Sequence, residues 1–558
     1  MTSANELIRR QERLASDRAN YETHWQEIAD LMLPGRGDFI SQRVPGQKRT
    51  DKLFDGTALT ALDNLSGGLW GAVTNSANKW FEVQTADPSL MQDHDIASWC
   101  DAVTDRMLAA FGSNGMRFYA QAIAAYRDLA AFGTMVFYTE HPDPASNVLS
   151  FESKPLARCY IAENDRRRVD TVFERFKYTA RQAVQRWGEK TPEKVRKAIE
   201  SNPETEFTFL FACMPAREYG AKLPSSDMTT AAVYACVDTQ EIVQVGGMYA
   251  FPYQVARWSI GNKGPYGDSP AMLALPDVKM VNAMAKTTIV AAQKQADPTI
   301  LAPDENGMRG VRFTPGGIVY GGVDANGRAM FQPFQAGGPT GLTLEIQNQR
   351  REAIRDAFYA TLLLMADNAN MTATEWLGRQ EEKLRLMGPH IGLVQAEWLD
   401  PLVDTAFTLM ARASVPMWSR GIDGWLPRPP ESLPASPELK VSFVSPLARA
   451  QKATEAASLD RFMQSIIPVA QLRPEVLDNV NADEFLRIMA QGTGVPAKVL
   501  NDPRLVEQMR AQKAQQAQAM QIAQMAGPLK DGASAVKTLA EANATAGIGG
   551  DAPEGMAQ

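Results

Sequence analysis

With 558 residues, 45% hydrophobic and 22% charged, the chain has the composition of a folded protein large enough for several domains. Its formal charge of −7 argues against a sequence-reading DNA binder, because grip on nucleic acid comes chiefly from cations that neutralise phosphates. No apolar run reaches the ~18 residues of a membrane span, and residues 1–6 lack a basic-then-apolar leader, so the chain is expected to fold in the cytosol, away from membranes.

Leu7, Leu14, Tyr21 and Ile28 recur every seven residues, with Trp25 and Leu31 beside them, and predict a first helix that Leu33-Pro34-Gly35 stops. Asp55 or Thr57 is placed to cap the next helix, which carries Leu59, Leu62, Leu65 and Leu69. Ser66-Gly67-Gly68 within it reads as close helix packing, since Asn64 stands where a nucleophile elbow needs glycine. A strand follows at 79–83, then two helices over 95–133 split at Gly112-Ser113-Asn114-Gly115, the second faced by Phe118, Ile123, Tyr126 and Leu129. Strand patterns at 134–138, 148–151, 169–173, 207–211 and 233–237, with a helical insert over about 180–200, indicate α+β rather than βαβ architecture. The densest basic run, Arg166-Arg167-Arg168, reads first as a solvated turn and second as a phosphate site.

At Gly261 the pattern changes. Ser269 is an N-cap with Pro270 at the first helical position of a helix bearing Leu273, Val278, Val281, Met284 and Ile289, roughly 40 Å long and ended by Asp297-Pro298. Residues 300–341 are dense in turn signals and read as a small β lobe with too little core of its own, expected to lean on a neighbouring subunit. A second long helix from Leu342 carries Ile346, Ile354, Phe358, Leu362 and Met365, with Arg350, Arg351, Arg355, Glu345 and Glu352 on its other face. After the polar loop Asp367-Asn368-Ala369-Asn370-Met371, the capping box Thr372-Ala373-Thr374-Glu375 opens a third helix, which Gly388-Pro389 should kink. A proline-rich stretch, a strand at 439–444, helices to about residue 525 and a low-complexity tail complete the chain.

No catalytic constellation accompanies these elements. There is no GxxxxGK[ST], HExxH or EF-hand loop, the cysteines (Cys100, Cys159, Cys213, Cys236) form no CxxC pair, and carboxylate pairs such as Asp51/Asp55 and Glu381/Glu382 read as solvated. The expectation is a non-enzyme with no catalytic residue, metal or cofactor.

Trp25-Gln26-Glu27-Ile28-Ala29 with Leu33-Pro34, then Leu53-Phe54-Asp55-Gly56-Thr57-Ala58, Leu69-Trp70-Gly71, Trp80-Phe81 and Phe132-Gly133-Thr134, resemble the portal, or head-to-tail connector, family of short-tailed double-stranded DNA phages. Gly267-Asp268-Ser269-Pro270 leading into helix, β lobe, helix, loop and helix fits the same family, over roughly residues 5–500. The resemblance implies a mainly α, α+β fold, assembled as a ring of twelve around a DNA channel at one capsid vertex of the virion. It implies as partners the terminase motor, scaffolding and major capsid proteins, and tail adaptors. Mapped on this chain, it implies a wing (1–260, with a return strand in 415–450), stem helices (261–295 and 342–366) and a clip (296–341). The tunnel loop would be 367–371, the kinked channel helix 372–414, the crown 451–525 and a disordered tail 526–558.

Twelve copies at −7 give a ring on the order of −80, which offers DNA little sustained attraction. Contact would fall to local basic rings: Lys286, Lys294, Arg350, Arg351 and Arg355 on the stem, and Arg309, Arg312 and Arg328 on the clip. Each has the alternative of bridging subunits through Glu345, Glu352 or Asp356. Ile354, Phe358 and Leu362 are the expected stem packing residues, and Met371 the bulkiest group of the tunnel loop. The competing functions are a DNA-processing packaging enzyme, ATPase or nuclease, and a virion scaffold without a channel.

Overall fold

The computed structural model describes residues 3–40, 44, 46–113, 115–142, 146–220, 222–261, 264–296, 300–301, 323, 326, 328–330, 332–333, 340–360, 386–434, 439–443, 458–468, 473, 481–493, 499, 501 and 505–518. They fall in two compact units, one of residues 1–86 and 99–454, the other of 87–98 and 455–558.

The first unit opens with helix α1 (Ala4–Met32). Its start is a capping box: Ser3 Oγ accepts the Glu6 N–H at 3.3 Å and the Glu6 carboxylate accepts the Ser3 N–H at 2.8 Å. Leu7, Trp25 and Ile28 are buried as expected, but Leu14, Tyr21 and Leu31 are half-buried. A row repeating every seven residues drifts off the buried face of a helix that turns every 3.6. The same side buries Arg18, which the hydrophobic pattern did not reveal. Arg18 is 1% exposed, donates to the carbonyls of Leu156 (2.9 Å), Ala157 (3.0 Å) and Cys159 (2.6 Å), and lies over the Tyr160 ring.

After helices α2 (Thr57–Val73), α3 (His94–Gly112) and α4 (Phe118–Phe132), and strand β1 (Phe81–Thr85), come strands β2 (Thr134–Glu140) and β3 (Ser150–Lys154). Next is a meander of β4 (Cys159–Glu163), β5 (Val169–Thr179), β6 (Glu206–Pro215), β7 (Thr230–Cys236) and β8 (Glu241–Met248). These five form one antiparallel sheet in sequence order. Alternate residues of β6 face opposite sides, which explains its nearly unbroken apolar run. Leu210 and Ala212 pack with Leu7 and Ile8 of α1, while Phe209 packs with Ala183, Trp187 and Val195 of the insert, resolved as α5 (Ala180–Trp187) and α6 (Glu193–Ser201). A one-turn helix, α7 (Ala216–Tyr219), follows β6.

Strand β9 (Tyr253–Arg257) returns to pair with β2, giving a three-stranded sheet in the order β3-β2-β9. Helices α8 (Pro270–Ala296) and α9 (Thr340–Ala357) follow, with the short strands β10 (Ile300–Leu301) and β11 (Gln332–Pro333) paired between them. The chain is helical again over 386–394, opens into a π turn at Gln395–Leu399, and continues as α10 (Asp400–Trp418). The wide turn lies beyond the expected Gly388-Pro389 site. It ends just before Pro401, whose ring lacks an N–H and crowds the carbonyl four residues back. Trp398 in this turn is fully buried, its ring 5.0 Å from Tyr126 and 5.2 Å from Phe137. Glu397 grips Arg257 at the end of β9, which is 3% exposed and also paired with Glu163 of β4. Strand β12 (Leu439–Phe443) then pairs antiparallel with β1, Val83 opposite Val441.

The second unit is described as helical over 458–468, Ala482–Thr493 and 505–518, with Arg510 bidentate to Asp483 at 2.7 Å. The calls on the tunnel loop (Asp367, Asn368, Ala369, Asn370, Met371), on Leu362, on Arg309 and Arg312, and on the tail fall outside the described residues.

Candidate functional site

Four of the motifs singled out in the sequence, those at Trp25, Leu53–Ala58, Phe132–Thr134 and Gly267–Pro270, meet at one place, the root of the α8–α9 pair. Ser269 caps α8, its Oγ accepting the Met272 N–H at 3.0 Å and donating to the Ala131 carbonyl, at the end of α4, at 2.8 Å. The Gly267 N–H donates to Thr134 Oγ1 at 2.9 Å, and the Trp258 N–H to the Gly133 carbonyl, also at 2.9 Å. Gly133 has φ 71°, and a Cβ there would lie 2.3 Å from the Gly267 carbonyl oxygen. One at Gly267 would lie 2.5 Å from the Gly133 oxygen. Phe132-Gly133-Thr134 and Gly267-Asp268-Ser269 therefore cross backbone on backbone, an approach open only to glycine.

The loop 52–57 grips the same pair from the side. Asn282 of α8 accepts the Phe54 N–H at 2.8 Å and donates to the Lys52 carbonyl at 2.8 Å. Arg351 of α9 donates to Asp55 Oδ2 through Nε (2.9 Å) and Nη2 (2.7 Å), while Asp55 Oδ1 accepts the Thr57 N–H at 2.9 Å at the start of α2. Burial acts to raise the Asp55 pKa, but the bonds from Thr57 and Arg351 outweigh it and hold the carboxyl below its usual range. Trp25 lies 5.0 Å edge-on to Tyr266 and 5.4 Å from Phe39, which meets Phe132 at 5.0 Å, so the first motif forms the floor of this seat.

Along the pair, Val278, Val281 and Ala285 of α8, Ile354 of α9 and Phe358 just past its end are buried, and Gln347, 2% exposed, donates to Thr288 Oγ1 at 3.2 Å. Ile354 and Phe358 are thus packed within the subunit. Leu273 (75%), Met280 (45%) and Ile289 (45%) of α8 are exposed, and residues 289–296 are exposed throughout. Helix α9 stops at Ala357. Tyr359 adopts φ 56°, its hydroxyl 3.5 Å from His390 Nε2, and the His390 ring stacks on Trp258 at 4.3 Å while its Nδ1–H donates to the Trp258 carbonyl at 2.9 Å.

Three of the five expected stem cations have partners inside the chain. Arg351 has Asp55, Arg350 lies 3.3 Å from Asp277, and Lys286 sits over the Phe54 ring at 5.5 Å. Within one chain these partners come from the 52–57 loop and from α8, which packs against α9. Lys294 and Arg355 are exposed and have no partner among the described residues; Arg328 is exposed beside the Val323–Ala329 bridge. Among the described residues no group of three or more His, Cys, Asp or Glu could hold a metal, and no helix is long and apolar enough to cross a membrane.

The family profile described as "Bacteriophage head to tail connecting protein" matches residues 4–500. The chain is 29% identical to the portal protein of Salmonella phage epsilon15 over 97% of its own length and 96% of that protein. It is 31% identical to a probable portal protein of Bordetella phage BPP-1, over 96% and 94% of the two chains. Among solved structures, a chain from the neck of an empty gene transfer agent particle computed with C6 symmetry aligns with TM-score 0.36 at 10% identity, covering 75% of this chain and 91% of that one. A chain from the virion of a native gene transfer agent aligns with TM-score 0.33 at 11% identity, over 71% and 93%. On the family match and the two relatives, the chain belongs to the bacteriophage head-to-tail connecting protein family and is a portal connector of the phage particle.

Proposed function

We propose that copies of this chain close into a ring, of twelve in the simplest case, around a channel that passes double-stranded DNA inward during packaging and outward at ejection. The observation that carries the reading is the α8–α9 pair, seated through many polar contacts at its root and bare beyond it, with residues 289–296 exposed. A helix that leaves Leu273, Met280 and Ile289 in water has an apolar surface for a neighbouring copy to cover. In this reading α8 and α9 are the stem and residues 296–341 the clip, which faces the terminase motor and later the tail adaptors. Residues 367–371 form the tunnel loop, 372–414 line the wide channel, 1–260 with 415–450 make the wing, and 451–525 the crown beside scaffolding and coat. Assembly takes place in the host cytoplasm, and the ring itself hydrolyses no nucleotide.

Electron microscopy of the purified oligomer tests this directly. Rings with a central hole wide enough for a duplex are expected, and a lone subunit under all assembly conditions would refute the reading. Deleting residues 368–370, or Met371→Asp, should leave rings intact and impair packaging or retention of DNA. ATP turnover or metal-dependent DNA cleavage by the pure protein would favour a packaging enzyme instead.

A further inference from the structure

The Arg166-Arg167-Arg168 run is the turn between β4 and β5, and the structure holds it by its backbone. Asn164 Oδ1 accepts the N–H of Arg166 at 2.9 Å and of Arg168 at 3.1 Å. The Arg167 N–H donates to the Asn164 carbonyl at 3.0 Å, and the Asn164 N–H to the Arg168 carbonyl at 2.9 Å. From beneath, Arg257 Nη2 donates to the Arg167 carbonyl at 3.1 Å, and Arg257 is itself fixed between Glu163 and Glu397. A buried ion cluster drawn from three distant stretches of chain therefore sets the position of one surface turn.

What the turn displays is charge, three arginines beside one exposed carboxylate, Asp165, so that its balance is positive. Arg166, Arg167 and Arg168 are exposed, and among the described residues none of their guanidinium groups has an ion-pair or hydrogen-bond partner. Arg167 has φ 57°, a left-handed conformation in which glycine or asparagine would sit with less strain. Strain retained at a rigid position is a pointer to function. The apolar residues of the hairpin on either side, Ile161, Val169 and Val172, are buried or half-buried, so the surface has no apolar anchor of the kind protein partners use. A phosphodiester backbone needs none, since cations alone hold it, and guanidinium groups match phosphate oxygens in pairs.

We propose that the Arg166-Arg167-Arg168 turn is a fixed phosphate grip for the backbone of double-stranded DNA, an inference that rests on the conduit reading above. Each copy contributes one grip, and a ring multiplies a contact that is weak in a single copy. Because the grip reads no base edge, it is indifferent to sequence.

The test is binding of a labelled duplex of mixed sequence to the assembled full-length protein, by fluorescence anisotropy across a potassium chloride series. For the variant carrying Arg166→Gln and Arg168→Gln, affinity at 0.1 M salt should fall about ten-fold or more. The slope of log K against log salt should shrink by about 0.9 for each lost phosphate contact. Arg167→Gly, which relaxes the backbone and removes one charge, should lose less affinity and melt no lower than the parent. A second sequence of equal length should give the same losses. Unchanged affinity and slope in the double variant, with rings and melting temperature intact, would overturn the grip while leaving the conduit standing. Lost co-assembly with the coat or scaffolding protein at unchanged DNA affinity would also overturn it, and assign the turn to an acidic protein surface. Absence of rings from the parent protein would instead fail the conduit reading, independently of these variants.

Discussion

The two halves of α8 are continuous in backbone and opposite in circumstance. From Pro270 to Ala285 the helix buries Val278, Val281 and Ala285, is capped by Ser269 and is tied by Asn282 to the 52–55 loop. From residue 289 to Ala296 it buries nothing. An isolated helix of so few residues is marginal in water, so the outer half borrows its order from the inner one and from whatever covers it. The inner half is buried on one face and leaves Leu273 and Met280 exposed on the other, whereas the outer half is exposed all round.

The sharpest way to break this contrast is at the backbone crossing. Gly267→Val places side-chain atoms against the Gly133 and Ser259 carbonyls and should cost about 4 kcal/mol, read as loss of soluble protein or a collapsed denaturation midpoint. Next, Phe358→Ala should cost the isolated subunit about 3 kcal/mol by opening a cavity in a fully buried site. Leu273→Ala on the exposed face should change subunit stability by less than about 0.5 kcal/mol and show instead as weaker assembly in sedimentation. If the two variants behave alike, the division between buried and exposed faces of the pair is wrong.

The side grip is tested by acid. Asp55 has a depressed pKa, so its contribution is present above the unfolded value of about 4 and is lost as pH falls through the lower native one. Arg351→Met should cost about 1 kcal/mol at pH 7, because the pair is partly exposed, and should flatten the loss of urea stability between pH 5 and 2.5. Asp128 has the opposite sign. Fully buried against Arg36 with Oδ1 unpaired, it is pushed up by burial to about 6 in spite of the arginine. It favours the fold fully below about pH 4, and that contribution disappears as pH rises through 6. Asp128→Asn should therefore level the melting temperature between pH 5 and 7. The smallest effect is expected at Lys294→Gln, within about 0.5 kcal/mol for the subunit.

Much of this was legible where the signal is local. Ser269-Pro270 announced α8 to the residue, Gly112–Gly115 split two helices, and period-two runs located most strands. Strands β4, β8 and β9 escaped: β9 is buried at all five positions, so it lacks the alternation that marks a half-buried strand. Partners were not legible either. Asp55 and Arg351 lie 296 residues apart, and nothing local tells an arginine which carboxylate it will meet. Arg18 is a harder case, since a cation on an apolar stripe reads as an exception until the carbonyls of 156–159 are seen to receive it. The glycines of two separate motifs gained a physical reason only when Gly133 and Gly267 were found in contact.

Strand β1, Phe81–Thr85, finds its sheet partner in β12, Leu439–Phe443, across most of the chain's length. Its backbone groups therefore wait, unpaired by any other described strand, until the ribosome has passed residue 443. A polypeptide cut short before that point carries an open ladder where the finished one carries a closed pair, a bare edge of the kind that invites aggregation. The order of synthesis is thus written into the geometry of the fold, and only chains that extend past residue 443 present a sealed flank.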